Sequence, residues 1–223
     1  MIVDDIKMKL TIIYDNEVYK KGVGLKSDWG FACLIETNYE NILFDCGAKG
    51  NLLLNNMKKL GINPKDIGKI VISHEHWDHN GGLKSLITHI NKAELYQLGK
   101  TNVSQKIKLK NVEESQMVSD GIYTTGRLTG LPVDEQSLVL EGKKGWYVLV
   151  GCSHSGVENI LQTSKKFGNV LGIIGGLHGF NDFSVLKDLE LICPCHCTKY
   201  KNELKDFYPM KSAECGAGRT IDI

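Results

Sequence analysis

The chain has 223 residues, 42% of them hydrophobic and 24% charged, and its 27 Lys and Arg against 26 Asp and Glu leave a formal charge of +1. That is the composition of a globular protein with a core of its own. The balanced charge argues against a dedicated nucleic-acid surface, and no apolar run approaches the roughly 18 residues of a membrane helix.

Met1 to Lys9 carries charges but no apolar stretch, so no signal peptide is read there. The seven cysteines, at 33, 46, 152, 193, 195, 197 and 215, are odd in number. Together these features predict reduced thiols and a cytoplasmic location. The expected partner is a small-molecule substrate, phosphorylated or not, with neither nucleic acid nor membrane involved.

The first third of the chain is strand-rich. Runs from Met8 to Tyr14, Phe31 to Thr37 and Ile42 to Asp45 read as strands, divided by turn residues. Leu53, Met57 and Leu60 then share a helix face, which Gly61 and Pro64 stop. Lys69 to Ser73 reads as a buried strand, and Leu83, Leu86, Ile87 and Ile90 line a second helix. From about 98 to 121 the chain is polar, lysine-rich and weakly periodic, which predicts a lid or an exposed connection.

Short strands follow at Ile122 to Thr125, Ser137 to Leu140 and Trp146 to Val150. Ser155 to Glu158 fits a capping box before a helix bearing Val157, Ile160 and Leu161. Strands at Val170 to Ile174 and Leu189 to Cys193 alternate with helices that Asp182 and Thr198 are expected to cap, the last halted by Pro209. No repeat or linker interrupts the pattern, so one layered α/β domain over residues 1–223 is expected.

The histidines carry the chemistry. His74-Glu75-His76-Trp77-Asp78-His79 places three imidazoles and a carboxylate directly after a buried strand. Neutral imidazole and carboxylate are ligands for Zn, Fe or Mn, and a core has no packing use for such a run. As an extended loop it would point His74, His76 and Asp78 one way, with His79 turning toward a second ion.

His154, His178 and His196 repeat one arrangement: an apolar strand ends, small or turn-forming residues follow, and a histidine stands just beyond. Strand-end loops are where layered α/β folds place their sites. Six histidines can therefore converge at one rim, whereas His89 falls within a helix pattern and reads as structural. Such a supply suits two neighbouring cations. Asp45 ends a strand and is a candidate to hydrogen-bond a ligand histidine, Arg127 is a candidate fork for a phosphate, and Cys152 is either a small buried residue or a ligand. Cys193 to Cys197 lacks a second cysteine pair at finger spacing, which disfavours a closed structural zinc site.

The run His74 to His79, opening onto Gly81-Gly82, resembles the HxHxDH signature of the metallo-β-lactamase superfamily, and Phe44-Asp45-Cys46-Gly47 resembles its strand-end Asp-x-Gly element. The segments Gly151-Cys152-Ser153-His154, Gly175-Gly176-Leu177-His178, Pro194-Cys195-His196-Cys197-Thr198 and Tyr14-Asp15-Asn16 are together similar to a branch of superfamily-II metal-dependent hydrolases. That branch includes the archaeal dihydropterin-ribofuranosylaminobenzene 5'-phosphate synthase.

The resemblance implies an αββα sandwich with a metal site at one edge of the two sheets and two divalent ions, zinc foremost, with Mn or Fe as alternatives. It assigns His74 and His76 to the first metal and Asp78, His79 and His196 to the second. His154 is the candidate for a further histidine ligand, and Cys152 for the place of an aspartate or cysteine ligand. The expected activity is hydrolysis of an ester-like or phosphoester substrate, with Asp78 and His178 as catalytic residues. The alternatives are a pterin and ribose-phosphate synthase, and a metal-binding sensor without turnover.

Overall fold

The structure is a computed structural model that describes residues 8–99 and 104–223. Expectations for residues 1–7 and 100–103, the latter inside the polar segment, lie outside the described residues. The first sheet takes the order β13-β1-β2-β3-β4-β5-β6. Its strands are β1 (Lys9–Tyr14), β2 (Ala32–Glu36), β3 (Asn41–Phe44), β4 (Ile67–Val71), β5 (Ala93–Gln97), β6 (Ile107–Asn111) and β13 (Thr220–Asp222). The second sheet is ordered β12-β11-β10-β9-β8-β7. It comprises β7 (Gln116–Ser119), β8 (Ile122–Thr124), β9 (Leu138–Glu141), β10 (Trp146–Val150), β11 (Val170–Gly176) and β12 (Leu191–Cys195).

Helices α1 (Gly50–Leu60) and α3 (Leu83–His89) cover the first sheet, and α4 (Val157–Ser164) and α5 (Lys201–Phe207) belong with the second. A four-residue turn, α2 (Trp77–Asn80), lies between β4 and α3.

Strand alternation builds these layers. On β3, Ile42 and Phe44 face the second sheet while Leu43 faces the helices. On β10, Leu149 faces the inter-sheet core, and Val148 and Val150 face α4. A two-residue period therefore supplies both cores of each sheet. Helix α1 buries Leu52, Leu53 and Met57 and ends at Gly61, whose φ of 73° is the left-handed C-cap that glycine adopts without a Cβ penalty. The arrangement is the expected αββα sandwich.

Several local expectations give way to tertiary partners. The polar stretch 98–121 contributes β6 and β7, short edge strands that bury few residues, with Lys108 and Met117 exposed, and this hides the period. Gly156, not Ser155, precedes α4, because Glu135 Oε1 accepts both the Ser155 hydroxyl (2.7 Å) and its N–H (2.8 Å). Asp182 accepts a bond from Ser184 Oγ and precedes a short 3-10 turn, Phe183–Leu186. Thr198 Oγ1 donates to the Cys195 carbonyl and accepts from Leu177 N–H, and α5 begins three residues later. Cys195 and Cys215 form a disulfide, which corrects the expectation of seven reduced thiols. The Ile192–Ser212 bridge lays the chain before β13 alongside β12, and that brings the two sulfurs together.

Strand direction is what positions the site. Strands β3, β4 and β5 run parallel in one sheet, and β10, β11 and β12 run parallel in the other. Asp45, His74, His154, His178 and His196 all follow the C-terminal ends of these strands. Among the described residues, the positive-φ residues other than glycine are Asp45, Ser153, His178 and His196, at 59°, 65°, 46° and 42°. Unfavourable backbone conformations thus collect at one rim, as they do at functional sites.

Candidate metal centre

His74, His76 and His154 form a first cluster, with ring centroids 4.7 to 4.8 Å apart. Asp78, His79 and His196 form a second, and the donor atoms of each set lie within 4.8 Å of one another. His74 and His79, with ring centroids 4.1 Å apart, join the two. Cys152 Sγ lies 3.1 Å from His79 Nε2, so Cys152 belongs to the junction.

Asp78 corrects the extended-loop expectation. Trp77 to Asn80 is helical, so Asp78 turns away from His74 and His76 and stands with His79 and His196. Helical geometry breaks the two-residue alternation that the loop reading assumed.

Hydrogen bonds fix which imidazole nitrogens carry lone pairs. Ser73 Oγ donates to Asp45 Oδ2 at 2.8 Å and so accepts from His74 Nδ1, also at 2.8 Å. His79 Nδ1 donates to the same Asp45 oxygen at 2.7 Å. His196 Nδ1 donates to Asn16 Oδ1 at 2.9 Å, while the His196 backbone N–H donates to Asp15 Oδ2 at 2.7 Å. With each Nδ1 protonated, the Nε2 of His74, His79 and His196 is a lone pair. His76 presents Nδ1 instead, 3.1 Å from His74 Nε2.

The donor set fits divalent cations. His154 Nε2 and His196 Nε2 are buried with no hydrogen-bond partner, although His196 Nε2 lies 3.2 Å from Asp78 Oδ2. Orphaned buried nitrogens are rare and need an explanation. Here each aims at other donors, as ligands to a shared ion do. Trp29 Nε1 donates to Asp78 Oδ2 at 2.9 Å, and its ring sits edge-on to His196 at 5.2 Å.

Burial tunes the charges. It holds the imidazoles of His74 and His79 well below their usual range and His154 down to about 4, which keeps all three neutral. Burial opposes ionisation of Asp78, but the adjacent His196 and His79 side chains outweigh it and keep the carboxyl low. Asp45 is pushed up to about 8 by burial, against the pull of its Ser73 donors. The Cys152 thiol is raised by its Cys197 neighbour and by burial.

His178 is exposed, with its ring 5.2 Å from that of His154, so it stands at the mouth beside the first cluster. Arg127 is not a free fork. Its guanidinium pairs with Glu113 at 2.7 and 3.0 Å and with Asp134 at 3.0 Å. His89 is bonded within α3 and stands outside both clusters. Asp45 is in the position anticipated for it. Trp29 was not anticipated, and no local pattern marks it; Asp15 and Asn16 appeared in a motif, without a role. Gly151 has a steric reason, since a Cβ there would strike Ser73 Oγ and press on Asp45.

The family model described as the metallo-beta-lactamase superfamily matches residues 30–161. The chain belongs to the metallo-beta-lactamase superfamily. The chain is 29% identical to the uncharacterized protein MJ0448 of Methanocaldococcus jannaschii, over 86% of this chain and 91% of the relative. It is 28% identical to the 7,8-dihydropterin-6-methyl-4-(beta-D-ribofuranosyl)-aminobenzene-5'-phosphate synthase of the same organism, over 90% of each. The crystal structure of Tm1679, a metal-dependent hydrolase of the beta-lactamase superfamily, superposes with a TM-score of 0.75 at 24% identity, covering 97% of this chain and 99% of that one. This last likeness supports the fold.

Proposed function

We propose that the protein is a metal-dependent hydrolase that acts at a dinuclear centre on an ester-like or phosphoester substrate. The observation that carries this reading is the convergence of imidazole lone pairs, set by the Asp45, Ser73 and Asn16 hydrogen bonds, onto two adjoining donor sets. His74, His76 and His154 would hold one cation, and Asp78, His79 and His196 a second, with Cys152 beside His74 and His79. Bound there, divalent cations, zinc foremost, supply Lewis-acid polarisation of a carbonyl or phosphoryl oxygen and a water of lowered pKa.

The chain's own groups do the rest. Asp78 orients the attacking water while Trp29 holds its other lone pairs in line. His178, exposed beside His154, delivers a proton to the departing oxygen. The protein acts on a small molecule. Among the described residues no helix is long and apolar enough to cross a membrane.

A second reading has its own support. The relative that matches over 90% of both chains is named a 7,8-dihydropterin-6-methyl-4-(beta-D-ribofuranosyl)-aminobenzene-5'-phosphate synthase. A pterin and ribose-phosphate synthase is therefore the alternative for the same centre.

The test is metal-loaded protein assayed against a phosphodiester, a lactone and a thioester, and separately against a pterin diphosphate with a ribose-phosphate acceptor. Hydrolysis that disappears on chelation and returns with metal supports the hydrolase. Condensation without hydrolysis moves the assignment to the synthase. Bound metal with no turnover in either assay overturns both and leaves a metal-binding sensor.

A further inference from the structure

Behind the second ligand set, three sulfurs meet. Strand β12 carries Cys193 and Cys195 two residues apart, so both side chains leave one face, and both are buried in the core between the sheets. Ile192 N–H donates to the Lys211 carbonyl, and Ala213 N–H donates to the Ile192 carbonyl. These bonds lay residues 211–213 beside β12 and bring in Cys215. The Sγ atoms of Cys193, Cys195 and Cys215 lie within 4.8 Å of one another, and those of Cys193 and Cys195 are 4.0 Å apart. One cysteine in a core is ordinary packing, but packing gives no reason for three sulfurs at one point.

With the Cys195–Cys215 bond in place, Cys193 is a free buried thiol beside it. The bond is within reach of a small molecule. A cavity of about 520 Å³ opens onto Cys215, walled also by Pro194, Lys201, Lys205 and Glu214. A small thiol entering there opens the bond by exchange: its sulfur bonds to Cys215 Sγ, and Cys195 leaves with the electron pair. A second thiol then bonds to the sulfur of the first and frees Cys215. The protein disulfide is reduced to two thiols, and two small thiols are oxidised to one disulfide.

We propose that the reduced cluster of Cys193, Cys195 and Cys215 is a binding site for one thiophilic cation, zinc or Cu(I), separate from the two ligand sets at the rim. Thiolate is the ligand that these ions select. At a metal–sulfur distance of about 2.3 Å, three sulfurs around one ion stand about 4 Å apart. Cys193 and Cys195 already have that separation, and opening the disulfide lets Cys215 Sγ move out to match it. Lys201 and Arg219 act on Cys193 against Asp15, and offset the negative charge that three thiolates leave around a divalent ion. The cation replaces three thiol protons, which pass to water. Disulfide and cation therefore exclude each other, so the site exists only in the reduced chain. It does not depend on the hydrolase reading.

Cadmium(II) is the probe. The full chain, its rim loaded with zinc, is prepared in two forms: oxidised with a disulfide oxidant, and reduced with a small thiol that is then removed without air. The reduced form should take up one more cation per chain than the oxidised form, with a new thiolate-to-cadmium charge-transfer band in the near ultraviolet. Exchange of rim zinc for cadmium occurs in both forms and drops out of the difference. Cys193→Ser and Cys215→Ser should each abolish the extra uptake, whereas Cys197→Ser should keep it. A second readout needs no variant: with cadmium bound, Cys215 of the reduced wild-type chain should resist iodoacetamide, as peptide masses report.

Equal uptake by the two forms overturns the proposal. So does extra uptake that survives Cys193→Ser or Cys215→Ser, that is lost in Cys197→Ser, or that leaves Cys215 open to alkylation.

Discussion

The two clusters at the rim are built differently. In the second, Asp78, His79 and His196 are all buried, and each is gripped: His79 by Asp45, His196 by Asn16 and Asp15, and Asp78 by Trp29. In the first, His74 is buried and held by Ser73, while His76 and His154 are half-buried and His178 stands exposed beside them. A buttressed set keeps its geometry before a cation arrives, whereas a looser set next to solvent adjusts to what enters. On the proposed function, the contrast makes the second cluster the anchor and the first the side that receives substrate.

The largest effect is expected at a ligand. His76→Ala leaves the first set with two imidazoles, and elemental analysis of the purified protein should show most of its metal gone. Full retention would break the ligand assignment at its strongest point. Asp45→Asn removes the carboxylate that orients His79 and, through Ser73, His74. Because it touches both clusters, competition with a chelator should show affinity lower by about 10–100-fold. Trp29→Phe keeps the ring against His196 but deletes one bond to Asp78. Trp29 is half exposed, so water replaces part of that bond, and a loss of about fivefold is expected in the same assay.

Acid sharpens the contrast without mutation. In the metal-free protein the imidazoles of His74, His79 and His154 titrate below their unfolded value of about 6.5, so the unfolded chain binds more protons in that range. The three imidazoles outweigh the opposing contribution of the raised Asp45 carboxyl, so stability should fall as pH drops from about 6.5 toward 4, seen as a declining Tm. A Tm flat across this window would show that the imidazoles are not held neutral. The smallest effects belong outside the clusters. Arg127→Ala breaks a surface ion-pair network and should change stability by about 1 kcal/mol or less, with metal content unchanged. His89→Ala should leave metal content at the wild-type level, and a loss there would redirect the ligand assignment.

How much of this was legible in sequence follows from how local each signal is. The His74 to His79 run and the strand-then-histidine pattern at His154, His178 and His196 are local, and they mark the rim because parallel strands end there. The direction of Asp78 was not legible, since one helical turn decides it. Trp29 reaches Asp78 across 49 residues of sequence, and Asp15 and Asn16 grip His196 across about 180, so both arise from tertiary packing. Arg127 looked free because its partners Glu113 and Asp134 come from a neighbouring strand connection and a later turn. Strands β6 and β7 were hidden because an edge strand buries too little to show a period. The Cys195–Cys215 bond was missed because odd cysteine counts say nothing about which two meet.

The most direct test is a crystal structure of metal-loaded protein with anomalous data collected at the absorption edge of the metal. Two peaks about 3.5–4 Å apart are expected, one against His74, His76 and His154 and the other against Asp78, His79 and His196. A single peak elsewhere, or density at the edge held by neither set, would contradict the account.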